Sequence, residues 1–294
     1  MELTFARHET FHIRSGWLRK GLKALESNNH IFLEPVKAMD ELGIGKNMIN
    51  SLRYWLVATG LTKEKFDGNY KIQVFTPLAK LIMKYDPYIE DLATIWLIHF
   101  HLASNKNSAT TWYWFFNYFN YTEFDKDIFI NELIIFIKRI GEEPPAISSL
   151  ENDFNVLRKM YTYQINDKIK LTKKNYNPEE DLMESPFIEL KILTEIDNNK
   201  LKINRPTPEN LSPPILYYCL LLTLENKFSI DVDDLLSKEN SIGRIFKLNS
   251  NTLYQFLDKF QELGYIRLDR HAGHNSIKII QSSKEEVISS YYEK

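Results

Sequence analysis

One order of segments occurs twice along the chain and limits what it can fold into: a short helix, a glycine-bearing turn, an amphipathic helix, then a β-hairpin. The first copy is "EPVKAMDELGIGKNMINSLRYWLVATGLTKEKFDGNYKIQVFTPLAK", residues 34–80. Gly43 and Gly45 mark the turn, where positive φ is cheap only for glycine. Met48, Leu52 and Trp55 fall at i, i+4 and i+7, with Ile49 and Leu56 beside them, which predicts one buried stripe. "DGN" is a hairpin turn between strands predicted at Leu61–Lys65 and Tyr70–Phe75. Thr76 and Pro77 then suit the N-cap and first position of a further helix. The second copy is "SIDVDDLLSKENSIGRIFKLNSNTLYQFLDKFQELGYIRLDRHAGHNSIKII", residues 229–280. Here Ser250 is expected to cap a helix with Leu253, Phe256, Leu257 and Phe260 as its buried stripe, Gly264 ends it, and a hairpin follows. The copies align in shape, not in residue identity. The expected fold is mainly α with small β-hairpin wings, with two winged helix-turn-helix units flanking a helical body. The corresponding domains are 1–85, 86–184 and 185–294.

Between the copies, "DLATIWLIHFHLASN" and "TTWYWFFNYFNY" are rich in aromatic residues. Aromatic rings can stack on bases, but at helical spacing they more often fill a core, and that is the expectation here. "GEEPPA" breaks the chain. Helices are expected at Ser149–Gln164 and Pro178–Met183, with the lysine-rich "KIKLTKKNYNP" as a solvated loop between them. A strand pair should surround "DNN" at 197–199, and "SPPILYYCLLLTLENK" should be a buried helix. Across 294 residues, 44% hydrophobic and 26% charged residues suit a globular protein with a substantial core. The single cysteine, Cys219, excludes an internal disulfide and a cysteine-based zinc site, and points to a reducing cytoplasm. "MELTFARHETF" is not a secretory leader, and no apolar run reaches the roughly 20 residues of a membrane span, so no membrane partner is expected. No P-loop, dinucleotide fingerprint, nucleophile elbow or zinc-protease helix occurs.

The net charge of −2 conceals an uneven distribution: residues 1–80 hold twelve Lys and Arg against eight Asp and Glu. No acid lies between Lys46 and Leu61, where Lys46, Asn47, Asn50, Ser51, Arg53 and Tyr54 are expected on one helix face. Asn and Arg can reach base edges, while Lys and Ser can hold phosphates. A winged helix can also serve as a protein-contact module; nucleic acid is the better reading for the first copy, whereas for the second, with Asp258 and Glu262 on its exposed face, protein contact or a purely structural role is the better reading. "RHETFHIRSGWLRKG" places Arg7, His8, Glu9, Arg14, Arg19 and Lys20 around Phe11 and Trp17. A His–Glu pair can orient an imidazole, move a proton or join a metal site. Adjacent residues diverge in regular structure, however, so a capped helix start with a basic face is the simpler reading of this spacing. His99 and His101 also diverge on a helix. Asp269, His271 and His274 can bind a divalent cation or phosphate, with a hydrated turn as the simpler alternative.

Taken together, "HETFHIRSGWLRKG", "ELGIGKNMINSLRYWLVATGL", "TPLAKLIM", "DLATIWLIHFHLASN", "TTWYWFFNYF", "ESPFIELKIL" and "SIGRIFKLNSNTL" resemble, in order, the SspB-like family of bacterial DNA phosphorothioate-modification and defence proteins. The resemblance implies a cytoplasmic component that binds double-stranded DNA and nicks it for sulfur incorporation. It also implies partners: a cysteine desulfurase, an ATPase and an ATP-pyrophosphatase-like sulfur transferase. On it, Lys46, Asn47 and Arg53 inherit a DNA-binding role and His8 and Glu9 a functional site; residue type and position add Asn50, Tyr54 and Arg19 to the DNA-binding candidates and Arg14 and Lys20 to the catalytic ones. A Mg²⁺ or Mn²⁺ ion would be held by Glu9 and His8, the hard oxygen suiting Mg²⁺ and the imidazole favouring Mn²⁺. Arg14 or Lys20 would hold the scissile phosphate. The wing "DRHAGHN" departs from the more acidic "DETAG"-like pattern expected of the family, so His271 and His274 inherit no role. The alternatives are a non-catalytic DNA-binding scaffold or transcription regulator, and a protein-interaction adaptor.

Overall fold

The computed structural model describes residues 3–163, 184–197, 200–224, 227–271 and 274–293. The chain begins with an irregular segment that leads into helix α1 (Trp17–Ser27) and a 3₁₀ turn, followed by α2 (Pro35–Leu42) and α3 (Lys46–Ala58). Pro35 takes the first turn of α2, where its missing N–H costs nothing, and Gly43 ends the helix at φ 65°. Ile49, Leu52, Trp55 and Leu56 of α3 are buried, while Met48 is only half-buried. Strands β1 (Thr62–Asp67) and β2 (Tyr70–Phe75) pair antiparallel from Thr62↔Phe75 to Asp67↔Tyr70, so β1 runs two residues further than expected. The Thr76 hydroxyl then caps α4 (Pro77–Tyr85) by accepting the Ala79 N–H at 3.3 Å.

The centre is aromatic. Helices α5 (Leu92–Ser104) and α6 (Thr110–Asn117) are followed by strand β3 (Glu123–Phe124), α7 (Lys126–Arg139), α8 (Ile147–Tyr161) and strand β4 (Thr162–Tyr163). Trp96, Trp112, Tyr113, Trp114, Phe115 and Phe116 are each at most 2% exposed. A helix apolar on every side, such as α6, belongs inside a core rather than against nucleic acid. The pair β5 (Leu193–Asp197) and β6 (Lys200–Ile203) brackets "DNN" as expected, and recruits the two-residue strands into the order β3-β6-β5-β4. The helix expected at Pro178–Met183 and the segment 168–178 lie outside the described residues.

The C-terminal part adds α9 (Pro213–Thr223), β7 (Ser229–Asp231), α10 (Val232–Ser237), α11 (Ile242–Ile245), α12 (Ser250–Glu262), β8 (Ile266–His271), β9 (His274–Ile279) and α13 (Lys284–Tyr292). The N-cap of α12 is Asn249 rather than Ser250. Gly243 is required for packing: a Cβ there would lie 2.5 Å from the Leu235 carbonyl oxygen of α10. Helix α13 returns to the N-terminal half, where Tyr292 stacks on Tyr85 and the Tyr291 hydroxyl donates to Asp91 at 2.9 Å. Buried side chains from Ile13 to Ile288 form one connected hydrophobic cluster.

Candidate nucleic-acid interface

The candidate face of α3 divides into three groups. Lys46, Asn47 and Asn50 are exposed on its first turns. Arg53 is drawn sideways onto the hairpin: it donates to the Lys71 carbonyl at 3.2 Å and pairs with Glu64 at 3.4 Å, while its own carbonyl accepts the Gln73 amide at 2.8 Å. Ser51 and Tyr54 turn inward. Ser51 is buried. Tyr54 lies against Trp55 with ring centroids 4.9 Å apart, and burial, then the Asp153 carboxylate, push its hydroxyl pKa up. The helix opens at Gly45 with extended backbone, no side-chain cap and no acid in its first turn. Its leading N–H groups therefore point outward without a side-chain acceptor.

Beside this turn lies a cleft of about 540 Å³. Its walls include Arg14, Arg19 and Lys20 from the N-terminal segment and α1, Ile44 and Met48 from either side of the α3 start, and Glu90. Helix α1 also opens without a side-chain cap, at Gly16 in the left-handed region (φ 75°). The Arg19 guanidinium sits 4.0 Å over the Tyr88 ring, a cation–π contact worth on the order of 1 kcal/mol. Arg14 lies 5.3 Å from the centre of the Trp17 ring, and its Nε is buried without a hydrogen-bond partner. The loop bearing Glu90 is fixed by Asp86, whose carboxylate accepts the Glu90 and Asp91 N–H groups. The structure thus brings Arg14, Arg19 and Lys20 together and sets them next to the exposed start of α3.

It does not bring His8 and Glu9 together. His8 is fully buried, stacked on Trp55, while Glu9 is exposed; the left-handed backbone of Glu9 and Thr10 (φ 50° and 65°) turns the chain between them. His8 Nδ1 accepts the Thr10 N–H at 3.1 Å, so in the neutral ring Nε2 carries the proton given to Asp153 Oδ1 at 2.8 Å. Asp153 also accepts the Ala6 N–H at 2.8 Å and the Thr111 hydroxyl. With both ring nitrogens engaged, His8 has no lone pair for a metal ion, which corrects the expected His8–Glu9 metal site. The His8–Asp153 pair is a buried anchor that seats the N-terminal segment on α8. Among the described residues, no three His, Cys, Asp or Glu side chains form a metal-binding group.

His99 is a core residue of α5, and His101 is half-buried on the same helix. His99 is buried between the Tyr161 hydroxyl at 2.9 Å and the Ile245 carbonyl at 3.2 Å, and burial lowers its pKa to about 3. Burial lowers His101 to about 4. The side chains of His271 and His274 lie outside the described residues. On α12, a reciprocal capping box joins Asn249 and Thr252, and Lys259 pairs with Glu262 at 2.7 Å.

Asp153 is the buried partner of His8 that the sequence does not reveal. Its one local signal is an acid on the apolar stripe of α8 beside Leu150, Phe154 and Leu157, all buried. A charge at such a position needs an internal partner.

Over residues 5–292 the chain matches the family described as "Protein of unknown function (DUF4007)". No curated protein matches it. Two solved structures are similar: an SspB crystal structure and a magnesium ion-bound SspB crystal structure. Each has a TM-score of 0.84 and 25% sequence identity, covering 99% of this chain and 88% of the other. No described helix is long and apolar enough to cross a membrane.

Proposed function

Because the chain belongs to the DUF4007 family and is SspB-like, we propose that it is the double-stranded DNA-binding component of a DNA phosphorothioate-modification and phage-defence system. It would act in the cytoplasm beside a cysteine desulfurase, an ATPase and an ATP-pyrophosphatase-like sulfur transferase. One observation carries the DNA reading: two helix starts without side-chain caps, those of α1 and α3, adjoin one cleft with Arg14, Arg19 and Lys20 in its wall. Uncapped N–H groups and the positive end of the helix dipole favour phosphate, and Lys and Arg gain affinity by releasing counterions from DNA.

In this reading α2, α3 and the β1–β2 hairpin form a winged helix, and residues 1–85, 86–184 and 185–294 act as three units. Lys46 and Asn47 meet the backbone, Asn50 reaches a base edge one turn along, and Arg14, Arg19 and Lys20 hold neighbouring phosphates. Arg53 is a strut that keeps the hairpin on α3, and Tyr54 supports the fold beneath it.

Strand nicking is the finer activity that the resemblance implies, and Mg²⁺ is named for one SspB structure. The closed ring of His8 favours a second reading, a DNA-binding scaffold whose strand chemistry resides elsewhere. Supercoiled plasmid incubated with Mg²⁺ or Mn²⁺ separates the two, since open-circle product selects the nickase. DNA binding itself is tested by duplex titrations at two salt concentrations. Lys46→Ala and Lys20→Ala should each weaken binding and flatten the log–log salt slope by about one unit. Unchanged affinity and slope in both variants would remove the proposal.

A further inference from the structure

The stretch "SIGRIFKLN", residues 241–249, has no part in the DNA reading, yet it closes a second cavity of about 130 Å³. Arg244 of α11, Lys247 just after it and Arg205 after β6 line this cavity, and no carboxylate does. Among the described residues none of the three cations has an ion-pair partner. Lys247 adopts φ 53°, a left-handed conformation that is strained for a lysine. The strain places its ammonium against the end of α6, where it donates to the Phe115 and Phe119 carbonyls at 2.6 and 2.7 Å. An ammonium has three N–H donors, so one remains for the cavity. The Arg244 guanidinium is aimed in the same way: Nε donates to the Ser237 carbonyl at 3.0 Å and a terminal nitrogen to the Asn120 side-chain oxygen at 2.7 Å. Its remaining donors are left for the cavity.

Arg244 and Lys247 are held by neutral acceptors and Arg205 adds a third positive charge to the cavity wall, and like charges gathered in this way repel one another until an anion joins them. We propose that Arg205, Arg244 and Lys247 bind a single tetrahedral oxyanion, a sulfate or phosphate group, in a site separate from the α1–α3 cleft. The charged groups facing Lys247 are Arg244 and Arg205; at the rim, Tyr121 donates to Glu132 at 3.2 Å. Burial first, then the two guanidiniums, lower the Lys247 pKa to about 7. Bound anion favours the protonated lysine, so affinity should fall as pH rises through 7.

The test is calorimetric titration of the full chain with sodium sulfate, whose charge is constant from about pH 6 to pH 8, at fixed ionic strength. One-to-one saturation is expected, tighter at the lower pH by up to roughly tenfold, the change in protonated Lys247 across that interval. Lys247 variants risk unfolding the end of α6, so Arg205→Ala, at an exposed position, is the informative change and should weaken sulfate about tenfold, the loss of one charge-assisted contact. A second arm uses duplex DNA lacking terminal phosphates. Weaker duplex binding by Arg205→Ala identifies a backbone phosphate as the natural group, and unchanged duplex binding identifies a free oxyanion. Absence of saturation, affinity that rises with pH, or wild-type sulfate affinity in Arg205→Ala would overturn the proposal.

Discussion

The α2–α3–hairpin and α10–α12–hairpin regions share an order of elements and diverge in what they leave open to solvent. Helix α3 starts at an uncapped Gly45 and exposes Lys46, Asn47 and Asn50. Helix α12 starts in a reciprocal capping box, exposes Asp258 and pairs Lys259 with Glu262. The hairpins differ likewise. The β1–β2 ribbon is two-stranded and projects Lys63 and Lys65, while its Lys71 pairs with Glu64 at 2.5 Å, whereas β9 is covered on its other edge by β7. Similar local architecture can thus present opposite surfaces. One region leaves backbone donors beside cations, a surface suited to an external anion; the other satisfies its donors internally and balances its charges, as a structural element does.

The comparison can be broken at its foundation. The N-terminal region owes its seat to Asp153, which holds Ala6, His8 and Thr111. Asp153→Ala strands those donors in a buried site and should cost about 3–5 kcal/mol in urea denaturation. A loss below about 1 kcal/mol would mean that the buried pair is not the anchor, and would reopen a chemical role for His8.

The helix starts offer a smaller and sharper test. Asn249→Ala should destabilise the protein by about 1 kcal/mol, whereas Gly45→Ser should stabilise it by a few tenths. Nothing lies within 4 Å of a Cβ at Gly45, so the serine is sterically free. The same Gly45→Ser change should weaken duplex binding, because the new hydroxyl competes for the N–H groups offered to phosphate. If thermal melts show no gain and titrations show no loss, the uncapped start of α3 is incidental.

Local features were legible in the sequence. The α3 stripe, the hairpin around "DGN", the Thr76 cap and the aromatic core all follow from spacing or turn chemistry within a few residues. Ser250 was a near miss because Asn249 beside it caps equally well. The strands Glu123–Phe124 and Thr162–Tyr163 are too short to show alternation and exist only through pairing with β6 and β5. The same limit governs the site. Arg14, Arg19 and Lys20 stand close in sequence and meet in one cleft. His8 meets a partner 145 residues away, and Lys247 meets carbonyls 132 and 128 residues away. Residue type marked these groups as chemically able; only long-range packing decided whether they face solvent, a cavity or the core.

The central claim is that DNA contacts the N-terminal region and not its C-terminal counterpart. Hydrogen–deuterium exchange of the whole chain, with and without saturating duplex, reads both regions at once. The account predicts slower exchange at residues 14–20 and 44–50 and unchanged exchange across 250–262. Protection confined to 250–262, or absent from both helix starts in α1 and α3, would contradict it.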